Sequence, residues 1–72
     1  MMPKFRKGTR VMWKWGTHWA EAVVVSSHDE PVRRMLKGSL ITRNGTADNP
    51  AYVLEQDNGT HVLKLHSELS KA

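Results

Sequence analysis

The sequence predicts an all-β domain, a small barrel of about five antiparallel strands with one short C-terminal helical turn. Three observations predict it. Turn-forming residues at Lys7-Gly8, Gly16-Thr17, Asp29-Glu30-Pro31, Lys37-Gly38, Asn44-Gly45, Asn49-Pro50 and Asn58-Gly59 cut the chain into short pieces. Those pieces alternate apolar and polar residues with period two, and none holds a helical period. The chain has only 72 residues, and one this short buries about 60% of its unfolded surface, which leaves room for one domain and no second core.

The elements follow in order. In residues 11–15 the odd positions Val11, Trp13 and Trp15 are apolar, as in a strand with one buried face. Residues 19–27 carry apolar side chains on both faces, which suits a long, bent second strand that serves two sheets. Residues 32–37 read as a third strand, residues 39–43 as its hairpin extension, and residues 44–50 as a polar loop. Residues 51–57 and 60–65 flank Asn58-Gly59, and Asn-Gly between alternating runs favours a two-residue type I′ hairpin. That register sets Leu54 opposite Leu63 and Tyr52 opposite Leu65, all on one face, with Glu55 and Lys64 diagonal on the other. Residues 67–69 form a single helical turn that caps the barrel with Leu69. The candidate core is Phe5, Val11, the three tryptophans, Val23 to Val25, Leu36, Leu40, Ile41, Tyr52, Leu54, Val62, Leu63, Leu65 and Leu69.

Composition narrows the function classes. Cysteine is absent, so no disulfide framework and no thiolate zinc site stabilises the fold. No apolar stretch approaches the roughly 20 residues of a membrane span, and Met1-Met2-Pro3-Lys4 is not followed by a secretory apolar run, so a cytoplasmic location and no membrane partner are expected. Asn44-Gly45-Thr46 and Asn58-Gly59-Thr60 match the glycosylation sequon, but both read as turns in a chain that is not secreted. The net charge of +4 biases association toward acidic partners such as nucleic acid.

Lys7-Gly8-Thr9-Arg10-Val11, then Trp13 and Trp15, a short turn, and Trp19-Ala20-Glu21-Ala22-Val23-Val24 are similar to the opening hairpin of Tudor domains. More closely, the chain from Lys4 to Ala72 resembles the hypervirulence-associated TUDOR domain family of bacteria and fungi. The segments that carry this are Lys7-Gly8, Val11, Trp13 and Trp15, Thr42-Arg43-Asn44-Gly45, Asp48-Asn49-Pro50-Ala51-Tyr52, and Leu63-Lys64-Leu65-His66-Ser67-Glu68-Leu69. The resemblance implies a single SH3-like/Tudor-type barrel over residues 4–70. It implies a class of function, a binding module, and no particular ligand.

In Tudor domains an aromatic cage between the first two strands holds methylated cations against the negative ring faces. By position Trp15 and Trp19 match that cage, with Tyr52 a third wall and Glu21 a nearby carboxylate. The plainer reading is that a cysteine-free domain of this size needs its large aromatics to fill the core. The cations fall in two groups, Lys4, Arg6, Lys7, Arg10 and Lys14, then Arg33, Arg34 and Lys37. Set beside an exposed tryptophan, Lys7, Arg10, Lys14, Arg33, Arg34 and Lys37 make a surface of phosphate contacts and a stacking platform, as small barrels use for single strands. The plainer reading of these charges is a solvated face.

His18, His28, His61 and His66 form no metal-ligand spacing and read as surface histidines, so no metal or cofactor is expected. No nucleophile, base and orienting group recur at recognisable spacing, and the carboxylates Glu21, Asp29, Glu30, Asp48, Glu55, Asp57 and Glu68 are scattered, so no catalytic residue is expected. The sequence therefore predicts a non-enzymatic small-barrel binding module. Nucleic acid is the favoured partner, because a +4 domain repels the basic tails that cages read. A protein or peptide ligand read by an aromatic cage is the alternative, and edge-strand pairing into a dimer stays open.

Overall fold

In a computed structural model, which describes residues 4–72, seven strands and one 3₁₀ turn follow one another along the chain. β1 (Arg10–Trp15) and β2 (His18–His28) form a hairpin whose turn is Gly16-Thr17. Gly16 has φ of 61° and Thr17 a negative φ, as a type II′ turn requires. β3 (Pro31–Leu36) and β4 (Ser39–Asn44) form a second hairpin around Lys37 and Gly38, whose φ values of 50° and 78° make a type I′ turn. β5 (Ala51–Glu55) and β6 (His61–Leu65) form a third. A 3₁₀ turn (His66–Glu68) leads to β7 (Ser70–Lys71).

Five of these strands make one antiparallel sheet in the order β6-β5-β2-β1-β7. β6 and β7 lie at opposite edges, yet only residues 66–69 join them. Across a flat sheet those edges would be roughly 19 Å apart at about 4.8 Å per strand spacing, so the sheet curls to bring them together. β2 makes the curl possible. Its register against β5 jumps between Val24 and Ser26, leaving Val25 without a partner, and such a bulge bends and twists the strand. The first half of β2 pairs with β1 and its second half with β5, as expected of a strand serving two partners.

The β3–β4 hairpin is not a barrel strand. It is a separate two-stranded sheet that covers the outer face of β5 and β6, so the expected single core is corrected to two clusters on opposite faces of one sheet. Val11, Trp13, Ala22, Val24, Tyr52 and Leu54 fill the inside of the curl, with Phe5, Val62 and Leu69 against them. Val32, Ala51, Val53 and Leu63 fill the space under the hairpin, with Val25, Leu36, Ile41 and Leu65 at its margin. Leu40, expected in the core, is exposed beside Met35 on the outer side of the hairpin.

The β5–β6 register also differs from expectation by one residue. Leu54 lies opposite Val62 and Val53 opposite Leu63. The loop is one residue longer than the expected two-residue turn, because Gly59 N–H bonds to Gln56 C=O and Gln56 N–H to Thr60 C=O, both at 2.8 Å. Only Gly59 has positive φ, 86°, which is a type I turn closed by a glycine bulge. Asn58 stays at negative φ, and its side-chain oxygen accepts the Thr60 N–H at 2.9 Å.

Gly45, expected in a turn, instead marks a close approach. A Cβ there would lie 2.6 Å from the His28 carbonyl oxygen and 2.8 Å from the Ala51 nitrogen. The 45–50 loop is then tied down by Asn49, whose side chain accepts the Ser67 N–H at 2.9 Å and donates to the Ser67 hydroxyl at 3.2 Å.

Candidate functional site

Strand parity decides where the candidate aromatics go. Residues paired across an antiparallel ladder share a face, and Trp15 lies opposite His18 while Trp19 lies opposite Lys14. Trp15 is therefore on the inner-face side of the β1–β2 hairpin, past the end of the core, with the His18 ring 6.4 Å away. Trp19 is on the outer face. Both are exposed, at 65% and 56%, but the hairpin stands between them. Trp13, by contrast, is buried, with the Lys64 ammonium 5.6 Å from its ring centroid.

Tyr52 is not a wall of any surface cage. It is fully buried, and its hydroxyl accepts the Phe5 N–H at 3.1 Å and lies 2.8 Å from His66 Nδ1. His66 is buried, contrary to the expectation of a surface histidine, and stacks on Phe5 at 4.6 Å. Desolvation on burial raises the Tyr52 pKa, against smaller lowering effects of the Phe5 N–H and of Lys4.

Glu21 shares the outer face with Trp19 and lines an open cleft of about 470 Å³ with it, together with Arg10, Gln56, Asp57 and Asn58. Arg10 is held there by two carboxylates, Glu21 at 3.7 Å and Asp57 at 3.3 Å. The cleft that contains the stacking surface thus carries two carboxylates against one cation.

The other cations are dispersed. Lys7, Lys14, Arg33, Arg34 and Lys37 are exposed, and among the described residues none makes an ion pair. Lys14 is the cross-strand neighbour of Trp19. Arg33 and Arg34 point to opposite sides of the β3–β4 hairpin, since Arg33 pairs with Thr42 and Arg34 with Ile41. They do not converge on one ligand from a single side.

A second concavity, about 350 Å³, runs between the inner side of the hairpin and β6. Leu36, Ile41 and Val62 supply apolar lining, and Lys37, Arg43 and Lys64 supply charge. Glu68 answers two of these cations, at 3.6 Å from Arg43 and 3.7 Å from Lys64. Lys37 is the one groove cation singled out from the sequence. Arg43 and Lys64 stand alone in polar-apolar alternation and lie far apart in the chain, so no local pattern marks them. Only the placement of the hairpin over β6 unites them.

No helix among the described residues is long and apolar enough to cross a membrane, and no three of their His, Asp and Glu side chains converge as metal ligands. Among curated proteins none matches the chain, and among solved structures none does. The family model described as the hypervirulence associated proteins TUDOR domain matches residues 8–69, which runs from the glycine turn before β1 to the leucine after the 3₁₀ turn, and the chain belongs to that family.

Proposed function

We propose that this domain is a non-enzymatic binding module that holds an extended, negatively charged segment of a partner protein in the groove between β4 and β6. The observation that carries this reading is the groove's lining, three cations around an apolar floor with a single carboxylate to answer them. Its volume of about 350 Å³ lies within the range of ligand sites.

Nucleic acid fits the geometry less well, which reverses the preference drawn from charge alone. Single-strand binding needs phosphate contacts and stacking aromatics on one surface. Here neither exposed tryptophan lines the groove, Trp13 is buried beside Lys64, and the Trp19 cleft carries Glu21 and Asp57. The pairing of Lys14 with Trp19 on one face is what still favours an oligonucleotide reading. An aromatic cage is disfavoured, because Trp15 and Trp19 face apart and Tyr52 is buried.

The test is an amide chemical-shift titration at low salt with an acidic peptide, a single-stranded oligonucleotide and a trimethyl-lysine peptide. The acidic peptide is expected to shift amides of β4, β6 and Lys37. Shifts confined to Lys14 and Trp19 with the oligonucleotide, with an affinity falling as salt rises, would overturn this reading in favour of nucleic acid.

A further inference from the structure

We propose that the free edge of β6 is a strand-addition site, at which an extended acidic segment of a partner protein pairs with the backbone of His61 and Leu63. This rests on the peptide-binding reading above and gives that groove a docking mode.

β6 is hydrogen-bonded to β5 on one side and, among the described residues, to no strand on the other. The phase of its ladder is fixed at both ends. Gln56 N–H bonds to Thr60 C=O and His66 N–H to Pro50 C=O, each at 2.8 Å. Hydrogen-bonded and non-bonded pairs alternate between those two, so Val62 and Lys64 spend their backbone groups on β5, while His61, Leu63 and Leu65 turn theirs outward. Both side-chain parities of β6 line the groove, as they must if the groove runs along the strand's edge.

The third outward N–H is already occupied, and its occupant shows the chemistry this edge accepts. Leu65 N–H donates to Glu68 Oε1 at 2.8 Å. The same carboxylate lies against Arg43 and Lys64. Glu68 thus takes an edge N–H while flanked by cations, which is the arrangement an acidic strand would continue along His61 and Leu63. Lys37, at the other end of the groove, has no carboxylate partner among the described residues. An added strand places alternate side chains on opposite sides, so one set meets Leu36, Ile41 and Arg43 under the hairpin and the other meets Lys64. Main-chain bonds of this kind supply affinity, and the pockets for alternate side chains supply specificity. A bare edge is also an aggregation hazard that proteins blunt with charge and short length. The groove's cations serve that end too, since they admit an acidic strand and repel a second copy of this basic edge.

The experiment uses the isotope-labelled domain and a blocked peptide alternating glutamate with valine, beside its glutamine-valine and lysine-valine counterparts. Hydrogen exchange of the His61 and Leu63 amides is expected to slow on binding, with Val62 and Lys64 unchanged. Lys64→Ala and Arg43→Ala are each expected to weaken binding by up to about fivefold, the scale of one partly exposed ion pair. Glu68→Gln is expected to strengthen it by freeing both cations. N-methylation of alternate peptide nitrogens should abolish binding in one phase and spare it in the other, a control that leaves the protein untouched. Amide shifts in the groove with no protection of Leu63 and no effect of N-methylation would overturn strand addition while leaving peptide binding in place. No shift with the glutamate peptide, or equal binding of the lysine peptide, would overturn both.

Discussion

Leu54 and Leu63 are both buried, and they point to opposite faces of one sheet. Leu54 belongs to the cluster inside the curl and Leu63 to the cluster under the β3–β4 hairpin. Truncating either to alanine is expected to cost about 2 to 5 kcal/mol, a large share of the stability of so small a domain. Milder changes reveal the geometry. Leu54→Val and Leu63→Val should add to within about 0.5 kcal/mol in denaturant melts because they share no cluster, whereas Leu54→Val should couple to Val62→Ala, its partner on the same face.

Gly45 tolerates no side chain. Gly45→Ala sets a methyl against the His28 carbonyl and the Ala51 nitrogen, both backbone atoms that cannot swing aside. Overpacking of this kind costs about 1 to 3 kcal/mol. A melting temperature equal to that of the parent domain would contradict the close approach.

Tyr52 makes stability depend on alkaline pH. Burial raises its pKa above the usual value of about 10, so the unfolded chain releases the phenolic proton first. The stabilisation is complete below about pH 10 and is lost as pH rises through the higher folded value. Tyr52→Phe should remove this part of the alkaline decline. At neutral pH it should cost about 1 to 3 kcal/mol, because Phe5 N–H loses its acceptor and His66 its hydroxyl partner.

The three tryptophans should separate cleanly in fluorescence and stability. Trp13→Ala is expected to cost about 3 to 5 kcal/mol and to remove the bluest emission. Trp15→Ala and Trp19→Ala should each stay within about 0.5 kcal/mol of the parent, as exposed positions do. A large loss at Trp19 would mean that the outer face of β1–β2 is covered.

The hairpins were legible because their turns have chemical requirements, and the glycines at Gly16, Gly38 and Gly59 meet them with positive φ. The β5–β6 register was not, because Asn58-Gly59 suits both a two-residue turn and a longer bulged one. Alternation could not decide between them. Ala51, Tyr52, Val53 and Leu54 are all buried, so a slip of one residue merely exchanges two apolar faces. The separation of Trp15 from Trp19 was within reach, since a two-residue turn at Gly16-Thr17 sets Trp15 opposite His18 and therefore turns Trp19 the other way. The groove was not. It joins Arg43 of one hairpin to Lys64 of another, and nothing local announces that the second sheet lies over the first.

The pairing of β7 with β1 gives the domain a particular order of assembly. Val11 lies opposite Lys71 and Met12 opposite Ser70, while Ala72 N–H reaches the Arg10 carbonyl at 3.1 Å. The three hairpins are local and can close as soon as each has left the ribosome, on the microsecond scale of isolated hairpins. The last seam cannot. It joins segments about 60 residues apart, at a loop-closure cost of roughly 3 to 4 kcal/mol, and until β7 is made one edge of β1 has no neighbour. A nascent chain is therefore open to mispairing along β1 until β7 has emerged to cover it.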